Sequence, residues 1–211
     1  NKWGGKYLRA PEIYFKILEK GKGKLVRLGD IAEVKAGIIT GNNRKYYKSI
    51  NETFNSDEYS PVFKSPKEVS KILLKKKDAI SVVKVKSVPY EIRRSPLLWP
   101  DLRGDKHICH YNSDNLPFEH NFYGIIGKKL DNKSLCLLLN STLTAFFIEV
   151  LGRKGLGGGA IRLVKIDLIR FPCLFMSITN FLMENSFLNR PIHSIFTELG
   201  FDPSKPIREQ E

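Results

Sequence analysis

The chain has 211 residues, 42% of them hydrophobic, and a formal net charge of +13, so it is long enough to bury a core and is expected to fold as a soluble protein. It has no run of about 18 uncharged apolar residues, because polar residues interrupt the longest apolar stretch, and a membrane span is excluded. Three scattered cysteines, Cys109, Cys136 and Cys173, support neither a disulfide framework nor a four-cysteine zinc site, and they predict a reducing, cytoplasmic setting.

The first half of the chain is expected to form short strands and two helices. Helices are predicted for residues 11–20, where Pro11 starts an amphipathic pattern that glycines end, and for residues 66–77, which have a basic face. A glycine-rich turn is predicted for residues 37–43, and a proline-punctuated excursion for residues 89–105. Strands are predicted in residues 25–28, 31–35, 45–49 and 80–88.

The strongest pattern in the second half is the apolar stretch of residues 135–151. Asn140-Ser141 interrupts it and can cap a helix, so two helices that meet at a bend are expected, followed by a loop in residues 152–159. The remaining elements are predicted strands in residues 107–111, 122–126 and 161–169, a final strand near Phe171-Pro172, and terminal helices in residues 179–188 and 192–199.

This order of elements predicts an α+β fold of mixed, short-stranded sheets with a bent helical segment and a helical C-terminal tail. We expect one domain in residues 1–173, followed in residues 174–211 by a helical extension or the start of a linker. The chain lacks an initiator methionine and ends in polar residues, which predicts a fragment of a longer protein.

The positive charge is concentrated in the first half of the chain. Residues 1–110 contain 24 Lys and Arg against 12 Asp and Glu, whereas residues 111–211 contain 11 against 10. Proteins that neutralise phosphates need a surplus of Lys and Arg on one surface, so the first half is expected to face nucleic acid. The alternative is an ordinary solvated basic surface.

A glycine-rich segment, residues 155–160 (GLGGGA), matches the letters of a dinucleotide-binding fingerprint. That fingerprint requires a strand before the loop and a helix after it, which aim backbone amides at a pyrophosphate. Here a predicted helix precedes the loop and a predicted strand follows, so no cofactor-binding residue is expected. The flanking Arg153, Lys154 and Arg162 indicate a flexible turn or a loop that can approach DNA phosphates.

Two metal-dependent chemistries have some of their residues in place. A zinc site would use His107, Cys109 and His110, but neighbouring strand residues face opposite sides of a sheet, so no metal site is expected. A nuclease module, the leading alternative function, would use Asp101, Asp131 and Lys133. Because Asp131 lies at a predicted helix start, capping explains it better, and no catalytic residue is assigned.

Basic residues interleaved with aromatic and small polar residues are typical of surfaces that contact duplex DNA, where arginine suits guanine and phosphate and asparagine suits adenine. Base reading is expected from loops around residues 41–48 and 93–106. The residues assigned to DNA contact are Lys35, Thr40, Asn42, Asn43, Arg44, Lys45, Lys64, Lys67, Arg93, Arg94, Arg103, Lys106, His107, Arg153, Lys154 and Arg162. A module that binds RNA or another protein is a further alternative.

Four stretches of the chain resemble the C-terminal target-recognition (specificity) domain of TaqI-type DNA adenine-N6 methyltransferases and type IIG restriction-modification enzymes, and more loosely type I specificity subunits. These stretches are LGDIAEVKAGI in residues 28–38 with TGNN in residues 40–43, Trp3 with YLRAP in residues 7–11, LLNS in residues 138–141, and the glycines of residues 155–159 running into IDL in residues 166–168 and Phe171-Pro172. Residues 49–87 match no part of the family.

The resemblance implies a parent chain whose N-terminal part binds S-adenosylmethionine and methylates adenine, while this C-terminal part reads duplex DNA as the target base is flipped out. It implies two partners, double-stranded DNA and the methyltransferase domain of the same parent. The Asn-Pro-Pro-Tyr segment that adenine methyltransferases use is absent from residues 1–211, so the resemblance assigns neither catalysis nor cofactor binding to this chain, and a fused endonuclease is left open.

Overall fold

A five-stranded sheet forms the centre of the protein in its computed structural model, which describes residues 11–51, 57–103, 108–153, 160–176, 186–189, 202 and 204. The helices are α1 (Glu12–Lys20), α2 (Leu28–Ile31), α3 (Asn43–Tyr46), α4 (Asn132–Leu139), α5 (Thr142–Leu151) and α6 (Lys165–Ile169), with short 3₁₀ turns at Pro66–Glu68 and Lys76–Asp78. The strands are β1 (Leu25–Arg27), β2 (Ala32–Ala36), β3 (Tyr47–Ser49), β4 (Tyr59–Val62), β5 (Leu73–Leu74), β6 (Ser81–Lys84), β7 (Leu97–Pro100), β8 (Leu102–Arg103), β9 (His110–Asn112), β10 (Phe122–Gly127), β11 (Ile161–Arg162) and β12 (Pro172–Leu174). The expected α+β fold is confirmed.

The central sheet has the strand order β2-β10-β7-β9-β5. Neighbouring strands are antiparallel, except that β5 and β9 are parallel. The last residues of β2 and β7 therefore lie beside the first residues of β10 and β9, and we call this end of the sheet the loop end. It brings together chain segments that follow Ala36, precede Phe122 and follow Pro100.

Strand β7 lies in the middle of this sheet and is buried on both faces. Leu97 and Trp99 pack with helices α4 and α5 in one hydrophobic core, whereas Leu98 packs with Phe118 and Phe122 in a second core on the other face. A continuous apolar run suits a strand that is covered on both sides. The prediction of an irregular excursion through residues 89–105 is therefore wrong for this stretch, because its prolines flank the strand.

A second, three-stranded antiparallel sheet has the order β3-β6-β4 and is built largely from residues 49–87, the part that matched no known family. Tyr47, Val62 and Val83 form its small core together with Ile38, which follows β2. The second sheet thus packs against the segment that follows β2 at the loop end of the central sheet.

The bend predicted in the long apolar stretch is confirmed, with α4 and α5 meeting at 60°. Ser141 caps α5 by accepting a hydrogen bond from the Thr144 amide at 3.2 Å. The Asn140 side chain accepts from the Cys109 amide and donates to the Cys109 oxygen, both at 2.8 Å, so it joins the helices to the chain before β9. Among the described residues no single helix is long and apolar enough to cross a membrane, although this bent pair passes that test on length and composition.

The prediction of a basic helix in residues 66–77 is wrong. Val69, Ile72 and Leu74 are buried there, and the backbone oxygens of Ile72 and Leu74 accept hydrogen bonds from Tyr111 and Ser113 at 2.7 and 3.0 Å. Pairing with β9 thus fixes this stretch in an extended form, because burial in the sheet outweighs a weak local preference for helix.

Two predicted strands are shorter than expected because helical turns replace part of each. In residues 45–49 the first two belong to α3, and in residues 161–169 the strand β11 ends at Arg162. The Asp167 carboxylate then accepts a hydrogen bond from the Val164 amide at 3.2 Å and starts α6. Short polar side chains that bond to nearby amides favour such helix starts.

The C-terminal part of the described chain returns to the N-terminal part. Strand β12 pairs antiparallel with β1, and Leu188, in a helical turn of residues 186–189, is buried in the larger core. The rest of the predicted terminal helices lies outside the described residues. The boundary between a domain in residues 1–173 and an extension in residues 174–211 stays a prediction.

Candidate nucleic-acid interface

Residues 117–121, just before β10, lie between three other segments at the loop end, and we call them the bridging segment. Four backbone hydrogen bonds of 2.9 to 3.1 Å join this segment to Ile38 on one side and to Phe63 on the other. The Phe118 amide also donates to the Arg93 oxygen at 3.4 Å. The bridging segment therefore brings together three groups of predicted DNA-contacting residues, in residues 40–45, 64 and 93–94.

Glu119 places a carboxylate in the bridging segment with only 1% of its side chain exposed. One carboxylate oxygen accepts a hydrogen bond from the Asn43 side-chain amide at 3.2 Å and lies 2.7 Å from His120 Nδ1. The other oxygen accepts hydrogen bonds from the main-chain and side-chain nitrogens of Asn121. Gly37 lies so close to the Glu119 backbone that any side chain there would collide with it. The buried charge is thus surrounded by donors.

The predicted turn after β2 is stabilised by its own side chains. The Thr40 hydroxyl donates to Asn43 Oδ1 at 2.7 Å, and Asn42 Oδ1 accepts from the Lys45 amide at 3.0 Å and caps α3. Gly41 has a φ of +71°, a left-handed conformation that glycine adopts easily. Thr40, Asn42 and Asn43, all assigned to DNA contact, thus already have partners within the protein.

Arg44 and Lys45 are the exposed cations of this turn. Lys45 Nζ lies 5.2 Å from the centre of the Tyr46 ring, in a cation–π contact. Arg44 has no hydrogen bond or ion pair with any described residue. Its guanidinium therefore retains all of its donors for a ligand.

Outside this turn, three of the lysines assigned to the contact surface lie among the described residues, and all three are partly or fully exposed. Lys64 follows Phe63, and its Nζ lies 5.7 Å from the centre of the Tyr47 ring. Lys35, in β2, forms a half-exposed ion pair with Glu33 at 3.5 Å. Lys67 is exposed in the first 3₁₀ turn. Lys64 alone of these is tied to the bridging segment, because its backbone oxygen accepts from the Asn121 side chain at 3.1 Å.

Arg93 and Arg94 use part of their donors to hold the backbone. Arg93 Nη1 donates to the Ala36 oxygen at 3.0 Å, and its Nε donates to the Glu91 carboxylate at 3.0 Å. Arg94 Nη1 donates to the Asn115 oxygen at 3.0 Å. Both arginines therefore brace the segments around the bridging segment, and the donors that remain are available for phosphate.

In a second group of predicted contact residues every described member is paired with a carboxylate, whereas in the first group only Lys35 and Arg93 are. The pairs are Arg103 with Glu149 at 2.9 Å, Arg153 with Asp167 at 2.9 Å, and Arg162 with Asp101 at 3.1 Å. Arg103 is only 8% exposed, and burial lowers its pKa although the Glu149 carboxylate opposes this. Lys106, His107 and Lys154, which belong to the same stretches of sequence, lie outside the described residues.

A cavity of about 460 Å³ lies beside these paired arginines, with Trp99, Arg103 and His110 among its lining residues. His110 Nδ1 lies 2.7 Å from the Lys71 oxygen, which fits an Nδ1–H donor. Burial lowers the pKa of His110 to about 4, opposed by that hydrogen bond, so the imidazole is neutral at physiological pH. Cys109 next to it is fully buried, which explains this pair as core residues.

His107, one of the candidate zinc ligands, lies outside the described residues, and the described candidates for metal chemistry do not converge. Among the residues that the structure describes, no group of three or more His, Cys, Asp or Glu side chains could hold a metal ion. Asp101 pairs with Arg162, and Asp131 caps α4 by accepting from the Lys133 and Ser134 amides at 3.0 and 2.9 Å. Capping accounts for Asp131, as its sequence position indicated.

Sequence reasoning missed the bridging segment and its buried carboxylate. The stretch between the predicted strands of residues 107–111 and 122–126 received no functional assignment, and Glu119 carries no pattern that distinguishes it from any surface glutamate. The signal that could have drawn attention to it was indirect: Gly37, in the stretch that resembles a known family, is needed because the Glu119 backbone passes so close. Besides allowing turns, a glycine can mark a position that another backbone segment approaches closely.

No protein-family model matches the chain, and no curated protein matches its sequence. Among solved structures, the chain is similar to part of the type IIG restriction endonuclease BpuSI, with a TM-score of 0.63 and 10% identity over 85% of this chain and 28% of that one. Weaker similarities, with TM-scores of 0.42 and 0.39 and identities of 12% and 11%, link 78% of the chain to the HsdS subunit from Thermoanaerobacter tengcongensis and to a chain of a type I R-M system. These similarities cover 35% and 36% of those chains, so the chain spans about a third or less of each structure that it matches. The chain has the α+β fold of that part of BpuSI.

Proposed function

We propose that the chain recognises a specific sequence in duplex DNA as part of a restriction-modification enzyme. The observation that carries this proposal is the hydrogen-bonded turn at the loop end, which carries the exposed side chain of Arg44, unpaired among the described residues, next to Lys45 in the chain. The fold shared with part of a type IIG restriction endonuclease supports the same function.

The two kinds of contact that a DNA reader needs are both available at this surface. Exposed lysines such as Lys45, Lys64 and Lys67 can neutralise phosphates and set the register of the protein on the duplex. A guanidinium with free donors can form two parallel hydrogen bonds to guanine O6 and N7 in the major groove. Such a pair requires a fixed backbone, and the hydrogen bonds of Thr40, Asn42 and Asn43 supply it.

We further propose that the parent protein is an adenine-N6 methyltransferase, on the basis of the resemblance stated for residues 28–43 and 138–141. Transfer chemistry and S-adenosylmethionine would then belong to another domain of that cytoplasmic parent, with which this chain associates. The described residues do not fit a pyrophosphate-binding cofactor site, because α5 leads into the glycine segment and β11 leaves it. That order is the reverse of the one that aims backbone amides at a pyrophosphate.

Selection from a randomised duplex library tests the function directly. The 211-residue chain should enrich one short site, and its affinity for that site should fall steeply as salt rises, because phosphate contacts release counterions. If the chain binds duplexes but enriches no sequence, it is a non-specific basic protein and does not recognise a site. Tighter binding to RNA than to duplex DNA, or metal-dependent cleavage, would favour the alternative functions.

A further inference from the structure

We propose that Glu119 is a positioning residue for sequence recognition, because its buried carboxylate fixes, through Asn43, the turn that presents Arg44. The inference rests on the proposed function and assigns specificity to a residue that no DNA atom could reach. Asn43 and Glu119 are 76 residues apart in the chain, and the contact between them ties the turn to the bridging segment.

The surroundings of Glu119 fit only a group that accepts hydrogen bonds at both of its oxygens. Asn43 and His120 approach one oxygen, and the two nitrogens of Asn121 approach the other. A glutamine has one accepting oxygen and one donating nitrogen. That nitrogen would have to face either the donor of Asn43 or the donors of Asn121, and two donors cannot bond to each other. The side with two Asn121 nitrogens is expected to retain the oxygen, and the contact with Asn43 would then be lost.

Loss of that contact would act on Arg44 through the backbone. Asn43 is the first residue of α3, and its side chain is held by Glu119 on one side and by the Thr40 hydroxyl at 2.7 Å on the other. Arg44 follows directly in the same single turn of helix. Two parallel hydrogen bonds to a base depend on the placement of the guanidinium, so a loosened turn should reduce discrimination between bases more than phosphate binding.

Tyr47 offers a matched control in the same surroundings. Its side chain is buried and its hydroxyl has no hydrogen-bond partner among the described residues. Burial raises the pKa of Tyr47, and the charge of Glu119 adds to this, so the phenol stays protonated and lies within electrostatic reach of the carboxylate. Tyr47→Phe removes a buried hydroxyl from the same part of the structure without removing any hydrogen bond among the described residues.

The experiment compares the unchanged 211-residue chain with Glu119→Gln, Asn43→Ala, the double variant and Tyr47→Phe. Affinity is measured for the preferred duplex and for duplexes with single base-pair changes, at one salt concentration, and thermal unfolding reports on folding. Glu119→Gln and Asn43→Ala should each reduce discrimination at one or two positions by about tenfold. The double variant should be no worse than Asn43→Ala, because that change has already removed the contact that Glu119→Gln breaks, and Tyr47→Phe should retain full discrimination.

Two results would overturn the role of Glu119. One is a folded Glu119→Gln variant that discriminates as well as the unchanged chain, and the other is additive losses in the double variant. If Glu119→Gln does not fold, Asn43→Ala decides the question from the exposed side of the contact, and unchanged discrimination there refutes the proposal. An unchanged chain that prefers no sequence would instead refute the proposed function itself.

Discussion

The two groups of arginines at the loop end differ in what surrounds their charge. Around the bridging segment, Arg44 is exposed and unpaired among the described residues and Arg94 donates to a backbone oxygen, whereas Arg93 is paired with Glu91. Around the cavity, each described arginine of the group has a carboxylate partner: Arg103 with Glu149, Arg153 with Asp167 and Arg162 with Asp101. A count of basic residues therefore does not locate a phosphate-binding surface. The charge of a cation that is paired with a carboxylate is largely cancelled, so the pair adds little to the positive potential that attracts phosphate.

The largest expected effect concerns stability on the cavity side, where His110 is buried in its neutral form. Its pKa in the folded protein, about 4, lies below its ordinary value of 6.5, so the unfolded chain binds the proton more tightly. The stabilisation by neutral His110 is complete above the ordinary value and is lost as pH falls towards the folded value, by about 3 kcal/mol in total. Denaturant unfolding between these limits measures it. A His110→Asn variant should show a flatter profile, and an equally steep one would refute the assignment to His110.

Arg44→Ala should produce the largest effect on DNA recognition. Removal of a bidentate contact should cost about 1 to 3 kcal/mol of discrimination at one or two base pairs. Stability should change little, because the side chain is exposed and unpaired among the described residues. Library selection on the variant and on the unchanged chain measures the change. An identical preferred site would remove this turn from the reading surface.

Glu149→Ala should lower stability without altering DNA affinity. It removes the carboxylate beside Arg103, whose side chain is 9% exposed, whereas that of Glu149 is 45% exposed. Water can partly replace the lost partner, so the free energy of unfolding should fall by about 1 to 2 kcal/mol. Chemical denaturation gives the stability, and duplex titration serves as the control. A large loss of affinity from a folded variant would show that the cavity side belongs to the contact surface.

The smallest effects separate a free cation from a paired one. Lys64→Ala should weaken binding to all duplexes alike and lower the slope of log affinity against log salt by about one unit. Arg153→Ala, which loses an exposed pair with Asp167, should leave both that slope and the stability nearly unchanged, because water screens an exposed ion pair. Titrations over a range of salt concentrations compare the two variants. If both variants change the salt slope equally, the residues around the bridging segment and those around the cavity contribute alike to phosphate binding, and the proposed difference between them is wrong.

Local chemistry made several features of this protein predictable. Pro11 and Gly21 bound α1, Ser141 caps α5 after a bend, and the glycine and asparagines of residues 41–43 form a turn, all through contacts within a few residues. Such contacts can be predicted from the sequence, because the groups that bond are neighbours in the chain. The same holds for the concentration of positive charge in residues 1–110.

The errors arose where distant segments decide local structure. Residues 66–77 contain apolar residues that also fit a helix, but hydrogen bonds from Tyr111 and Ser113 hold residues 72–74 in the sheet between two short 3₁₀ turns. Strand β7 is bounded by prolines and looked irregular, yet its position between β10 and β9 buries Leu97, Leu98 and Trp99 on both faces. Pairing partners far away in the chain leave no local signal, so neither outcome could be predicted from the stretch itself.

The sequence by itself determined the α+β composition, the bent helix, the turn at residues 40–43 and the identity of the basic residues, because these depend on residue type and on near neighbours. Only the tertiary structure decided which cations are free, since the partners of Arg103, Arg153 and Arg162 lie between 14 and 61 residues away. It also decided that Glu119 lies behind Asn43. A buried carboxylate is stable only where the fold gathers donors around it, and here they come from the turn after β2 and from the bridging segment itself.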